Sequence, residues 1–225
     1  MEVYIIIVAG GIGQRMENQT PKQFHLLDGR PVVMRTFDAF SDFYGQAKFL
    51  LVLPGNEIGR WKHLRYEFGF EVPHEIVEGG PTRFHSVKNA LALVPEKCLV
   101  FIHDAVRPLL DKTTIANCYR TAKIHGNAIP VVSSTESLRM VENGLSRAVN
   151  RENYKAVQTP QVFYSSLIKK AYAQTYNDQF TDDAAVVEAT GVQLRIVEGN
   201  PDNIKITRPG DLGYAEFVLT GRKIE

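Results

Sequence analysis

The stretch Val3-Tyr4-Ile5-Ile6-Ile7-Val8-Ala9-Gly10-Gly11-Ile12-Gly13-Gln14-Arg15-Met16 joins a continuous apolar run to a glycine loop that ends in a cation. A short, β-branched run without polar alternation predicts a strand covered on both faces, as in parallel sheets. Glycines at its carboxyl end let the backbone approach a ligand and turn N–H groups toward phosphate. That edge is also where open α/β sheets bind their ligands. The loop is not a dinucleotide fingerprint, because Met16 stands at the last glycine position. The second predicted strand ends in Pro54 and supplies no ribose carboxylate. The GxxxxGK[ST] phosphate loop is also absent. Arg15, just after the glycines, suits a triphosphate.

Outward from this stretch, strands and helices alternate. Strands are predicted at Lys48 to Leu53, Glu75 to Val77, Leu99 to Ile102, Ala128 to Val132, Gln193 to Val197 and Ile204 to Ile206. Helices are predicted at Pro31 to Phe43, Ile58 to Phe68, Thr82 to Val94, Asp111 to His125, Ser165 to Tyr176, Asp182 to Ala189 and Pro209 to Leu219. This alternation argues for a predominantly parallel central sheet with right-handed crossovers and helices on both faces, a Rossmann-like α/β fold. The rhythm breaks between Ser133 and Tyr154, a polar segment containing Asn143-Gly144. Asn-Gly between extended stretches is a hairpin signal, so a β-arm is expected to protrude at about residues 134–153. The 225 residues are read as one domain.

Charge narrows the partners. Lys plus Arg total 26 and Asp plus Glu 25, a formal net charge of +1, without the basic excess of a nucleic-acid binder. Cys98 and Cys118 form neither a CxxC nor a pattern with histidine, so no disulfide framework or zinc site is expected. The apolar start is too short to span a membrane and lacks a basic leader. A cytoplasmic location is the expectation, with no membrane partner.

Four further clusters carry chemistry. Lys22, in Pro21-Lys22-Gln23-Phe24, is a mobile point charge suited to a transferring phosphoryl group. Asp104, in His103-Asp104-Ala105-Val106-Arg107-Pro108, ends a buried strand and is placed to hold Mg²⁺ against triphosphate oxygens. Arg107 is read as pairing with a carboxylate to hold this loop. His103 as a general base is not favoured, because a phosphate oxygen is already a competent nucleophile. Gly79 and Gly80 precede a helix start, where backbone groups can read a base edge with Ser86 one turn further on. Lys205, in Asp202-Asn203-Ile204-Lys205-Ile206-Thr207, is within reach of phosphate. Singly, each has an ordinary reading as a turn, a surface lysine or a helix start.

Together, AGGIGQRM, PKQF, EGGPTRFHSV, HDAVRP, QTPQVF, FTDDA and DNIKITRP occur in this order over residues 9–209. The series resembles the 2-C-methyl-D-erythritol 4-phosphate cytidylyltransferase family of the non-mevalonate isoprenoid pathway. The resemblance implies condensation of CTP with methylerythritol 4-phosphate, giving the cytidine diphosphate derivative and pyrophosphate, with Mg²⁺ as cofactor. It implies that Ala9, Gly10, Gly11, Gly13 and Arg15 wrap the triphosphate, with Arg15, Lys22 and Lys205 as the catalytic cations beside it. Gly79, Gly80 and Ser86 would hold cytosine and ribose, and Asp104 the metal and ribose side. Arg151 and Thr181 would bind the acceptor, and the β-arm would exchange contacts in a homodimer. AGG and HDAVRP, in place of AAG and HDAARP, also occur in ribitol 5-phosphate cytidylyltransferases, so that acceptor stays open. A sugar 1-phosphate nucleotidyltransferase and a nucleotide-sensing protein without turnover remain the rival classes.

Overall fold

The computed structural model describes residues 1–9, 20–43 and 45–222. Its strands are β1 Val3–Val8, β2 Leu26–Leu27, β3 Arg30–Pro31, β4 Ala47–Leu53, β5 Glu75–Glu78, β6 Leu99–Asp104, β7 Asn127–Ser133, β8 Arg139–Glu142, β9 Leu145–Ala148, β10 Lys155–Val157, β11 Gln161–Tyr164 and β12 Ile196–Glu198. The helices are α1 Val32–Asp38, α2 Ile58–Glu67, α3 Arg83–Ala92, α4 Lys112–His125, α5 Ser165–Ala171, α6 Asp183–Glu188 and α7 Pro209–Arg222.

One sheet organises the chain, in the order β10-β7-β11-β6-β1-β4-β5, with β12 also pairing β7. Strands β6, β1, β4 and β5 are mutually parallel. The unbroken apolar run of β1 is explained by its two faces. Val3, Ile5 and Ile7 enter a core with Met34, Phe37, Trp61 and Cys118, under α1, α2 and α4. Tyr4, Ile6 and Val8 enter a second core with Val87, Leu91, Ile168 and Val187, under α3, α5 and α6. Ile5, Ile6 and Ile7 are all fully buried, each worth about 1.5–3 kcal/mol of apolar transfer. A third core joins Leu27, Val106, Leu109 and Ile206 to Ala215 of α7.

Helix starts follow the expected capping chemistry. Thr82, Asp111 and Asp182 each accept a backbone N–H three residues on, from His85, Thr114 and Ala185. Gly126 closes α4 in the left-handed region at φ 86°. The arm is the hairpin β8–β9, turned by Asn143 at φ 50° and Gly144 at φ 78°, the two positive values an Asn-Gly turn supplies.

Several expectations are corrected. The helix from Pro31 stops at Asp38, followed by a 3-10 turn at Ser41–Phe43. The helix from Ser165 ends at Ala171. Gln193 to Val197 reduces to β12. Ile204 to Ile206 is no strand: Ile206 donates its N–H to the Val106 carbonyl at 2.9 Å and buries in the third core instead. Strands β2, β3, β10 and β11 were not anticipated. β11 runs antiparallel between β6 and β7, so its first residue, Gln161, lies at the same sheet edge as the carboxyl end of β6.

Candidate active site

Asp104 is the last residue of β6, paired in register with Val8 of β1, and is 7% exposed. Three cations converge on it. Lys205 Nζ lies 2.9 Å from Oδ2, Arg107 Nε 3.5 Å from Oδ2, and Arg83 Nε 3.5 Å from Oδ1. Burial alone would raise this carboxyl's pKa, but Arg83, Lys205 and Arg107 prevail and hold it well below the usual carboxylate range. Asp104 is therefore ionised throughout the physiological range. Arg107 also donates to the Asn203 carbonyl at 2.8 Å, tying the Asp104 loop to the segment that carries Lys205.

The backbone at Asp104 is fixed from below. Its N–H donates to the Thr159 hydroxyl oxygen at 3.1 Å. The Thr159 hydroxyl lies 3.0 Å from His103 Nδ1, and His103 Nε2 lies 3.0 Å from the Arg107 carbonyl. A carbonyl only accepts, so the network assigns the imidazole proton to Nε2 and leaves Nδ1 accepting from Thr159. Burial holds the His103 pKa down to about 4, against the opposing effects of the Arg107 carbonyl and Asp104. With both ring nitrogens engaged and the residue fully buried, His103 is a neutral brace for the loop.

A cleft of about 250 Å³ opens over this carboxylate, lined by Val8, Ala9, Lys22, Gln23, Arg83, Asp104, Val106 and Lys205. Lys22 stands on a 3-10 turn, Lys22–Phe24. The turn is anchored by Phe24, 5% exposed and stacked on Trp61, and by Gln23, whose Nε2 donates to the Ala9 carbonyl at 3.4 Å. Of the residues expected from sequence, the structure thus brings Ala9, Lys22, Asp104 and Lys205 together. Gly10, Gly11, Gly13 and Arg15 lie outside the described residues.

Gly79 and Gly80 form a loop beyond β5, before α3. The Gly79 N–H donates to the Leu53 carbonyl at 2.8 Å and the Gly80 N–H to Ser86 Oγ at 3.1 Å. Ser86 is fully buried and shapes this loop from within. A Cβ on Gly80 would lie 2.4 Å from His85 Cβ, and one on Gly79 3.1 Å from Ser86 Oγ. Neither position takes a side chain without displacement.

Arg151 and Thr181 do not line the cleft of their own chain. Arg151 lies at the base of the arm, donating to the Thr135 carbonyl at 2.7 Å and 3.4 Å from Glu152. Thr181 is exposed, just before the Asp182 cap of α6. Arg83 was not singled out from sequence. Its Nη1 and Nη2 donate to the two oxygens of Asp183 at 2.9 and 2.7 Å. An arginine in the first turn of a helix reads as surface, and its partner lies 100 residues away.

Cations gathered round one carboxylate at the carboxyl edge of such a sheet suit polyphosphate chemistry, and the class so defined is that of the Rossmann-like nucleotidyltransferases. Comparison with known proteins resolves the family. A sequence model of 2-C-methyl-D-erythritol 4-phosphate cytidylyltransferase matches residues 3–221. The enzyme of that name from Phocaeicola vulgatus is 48% identical over 97% of this chain and 100% of its own length. That from Bacteroides fragilis is 49% identical over 95% and 98%. Among solved structures, the Francisella tularensis cytidylyltransferase superposes with TM-score 0.80 at 29% identity, covering 96% of this chain and 99% of the other. The Thermus thermophilus one superposes with TM-score 0.76 at 32% identity, covering 98% and 100%. The chain belongs to the 2-C-methyl-D-erythritol 4-phosphate cytidylyltransferase family. Among the described residues no helix is long and apolar enough to cross a membrane.

Proposed function

We propose that the cleft over Asp104 carries out cytidylyl transfer by direct displacement. The reaction is that of the family: CTP and 2-C-methyl-D-erythritol 4-phosphate give 4-diphosphocytidyl-2-C-methyl-D-erythritol and pyrophosphate. An oxygen of the acceptor phosphate forms a bond to the α-phosphorus of CTP as the bond to the bridging oxygen breaks, and pyrophosphate leaves with that oxygen. The observation that carries this reading is the convergence of Lys22, Arg83 and Lys205 on the cleft that Asp104 floors. Two polyanions meet only where cations offset their repulsion, and fixed cations stabilise charge on the five-coordinate transition state without reorganisation. Lys22 and Lys205 take that role, with Arg15 and the backbone of Ala9, Gly10, Gly11 and Gly13 on the triphosphate. Gly79 and Gly80, whose N–H groups Leu53 and Ser86 hold, form the loop on the cytosine side. No general base is required, which agrees with the sequestered, neutral state of His103.

The residues fit a divalent cation in one way. Asp104 is the carboxylate of the cleft lining and is ionised. No group of three or more metal-binding side chains occurs among the described residues, so substrate phosphates and water complete the ligand set, as Mg²⁺ prefers. When bound, Mg²⁺ would offset charge on the departing pyrophosphate. Asp104 would hold it, leaving Lys205 to turn from this carboxylate to phosphate.

Arg151 and Thr181 bind the acceptor, Arg151 by crossing into the cleft of a second copy. The arm supports this: Val141 is 69% and Leu145 78% exposed, apolar groups that a symmetric partner covers. Both substrates are polyanions that do not cross a membrane unaided, and the proposal puts the enzyme with them in the cytoplasm. The test is a panel of nucleoside triphosphates with pyrophosphate detection. Equal methylerythritol 4-phosphate and ribitol 5-phosphate then compete for limiting CTP. CTP selectivity with the methylerythritol product dominant is expected. Predominant CDP-ribitol overturns the acceptor, UTP or GTP selectivity the nucleotide, and saturable binding without product the enzymatic reading.

A further inference from the structure

Thr181 is held from both sides by the first two residues of α3. On one side, the Phe180 ring stacks on Phe84 with centroids 5.7 Å apart and 23° between planes. On the other, Asp183 receives both terminal nitrogens of Arg83. Asp183 is fully buried, and its Oδ1 also accepts the Tyr172 hydroxyl at 2.5 Å. Tyr172 in turn stacks on Phe84, 4.6 Å between centroids at 19°. The start of α6 is stapled by Gln161, which donates to Asp182 Oδ2 at 2.8 Å and accepts the Ala184 N–H at 2.7 Å. Arg83 thus commits both terminal nitrogens to Asp183, while its Nε lies 3.5 Å from Asp104 Oδ1 as an ion pair.

Charges alternate along this line: Asp183, Arg83, Asp104, Lys205. It runs from the segment bearing Thr181 to the floor of the nucleotide cleft. A planar guanidinium gripped at two nitrogens has one allowed orientation. A displacement of the Thr181 segment therefore moves Arg83, and with it the partner that orients Asp104.

We propose that Asp183 is a positioning residue that couples the acceptor site to the nucleotide cleft by fixing Arg83 between them. This rests on the cytidylyl-transfer reading of the site. Asp183 touches neither substrate. It sets the geometry of Arg83, so the acceptor-bound arrangement of the Thr181 segment and the catalytic arrangement of Asp104 form together.

The test is steady-state kinetics in both substrates on the full-length wild type, Asp183→Asn and Asp183→Glu, with thermal unfolding in parallel. Asp183→Asn keeps the shape but places an amide donor against the Arg83 donors. It is expected to raise the acceptor KM at saturating CTP about tenfold and the CTP KM at saturating acceptor by a similar factor, since coupling between two sites is reciprocal, while the apparent CTP KM at limiting acceptor stays within about twofold. Asp183→Glu, which restores a carboxylate, is expected to recover most of the acceptor KM. A purely structural role predicts losses that follow the Tm and raise the CTP KM at limiting acceptor as much as at saturating acceptor, and that result overturns the proposal. Should Asp183→Asn fail to fold, Tyr172→Phe loosens the same carboxylate while keeping the ring stack. A raised acceptor KM there supports the coupling, and unchanged kinetics overturn it. An inactive wild type sinks the reading of the site, whereas an active wild type with a kinetically silent Asp183→Asn sinks the coupling alone.

Discussion

Lowering the pH from 7.5 to 4.5 places a proton demand on His103 that the folded protein does not meet. In the unfolded chain its imidazole titrates near 6.5, and in the fold near 4. Between these values the unfolded state binds a proton that the native state refuses. Stability conferred by the neutral ring is fully present above 6.5 and is lost progressively as pH falls toward 4. The gap corresponds to about 3 kcal/mol, with a slope approaching about 1.4 kcal/mol per pH unit midway through the window. His74 acts in the same direction, its pKa lowered chiefly by burial, so the total slope is not assigned to one residue. The difference between wild type and His103→Gln is. Gln keeps an N–H for the Arg107 carbonyl but carries no titrating group. Urea unfolding at half-unit pH steps should give a wild-type stability that falls more steeply than that of the variant between 6.5 and 4, by close to one proton. Parallel pH dependences would refute the assignment of His103 as a buried neutral brace. Acid losses below about 4 include those of Asp104 and Asp211, whose folded carboxyls stay ionised after their unfolded counterparts, near 3.8, protonate.

Lys22→Ala should cut turnover about a hundredfold or more with the fold intact, since one lost transition-state contact typically costs roughly 3–4 kcal/mol; near-normal pyrophosphate release would contradict its role. Asp104→Asn should raise the Mg²⁺ concentration needed for activity, and an unchanged Mg²⁺ titration would leave Asp104 a structural cap on β6. Deleting residues 136–150 should give an inactive monomer by light scattering; a wild type already monomeric at micromolar concentration would exclude the arm as a dimer contact.

The sequence made β1 legible because both its faces are apolar, and Asp104 because a charge at the end of a buried strand needs a reason. Asn143-Gly144 marked the arm because few residues adopt two successive positive φ values. β11 was hidden, since four residues after Thr159-Pro160 have neither the length nor the glycine punctuation of a strand. Its antiparallel insertion between β6 and β7 is a fact of tertiary pairing that local pattern does not encode. Ile204 to Ile206 misled for a related reason: Ile206 is buried in the core with Leu27, Val106, Leu109 and Ala215 of α7, with no strand partner among the described residues. Arg83 was missed because its meaning depends on Asp183, and Lys205 was found only through its motif.

The pairing of β10 with β7 governs how this chain can change. Because β10 pairs antiparallel with β7, the residues that bracket the arm, Ser133 and Lys155, are already register partners. Everything between them is a loop whose ends the sheet has closed. Doubling such a loop costs only about 0.6 kcal/mol, and no residue of the cleft floor need move. The fold itself therefore tolerates changes in the arm's length and apolar face, so long as Arg151 at its base keeps its place. Under the arm-mediated assembly proposed above, a lineage could retune how copies of this chain meet while the cleft floor is inherited unchanged.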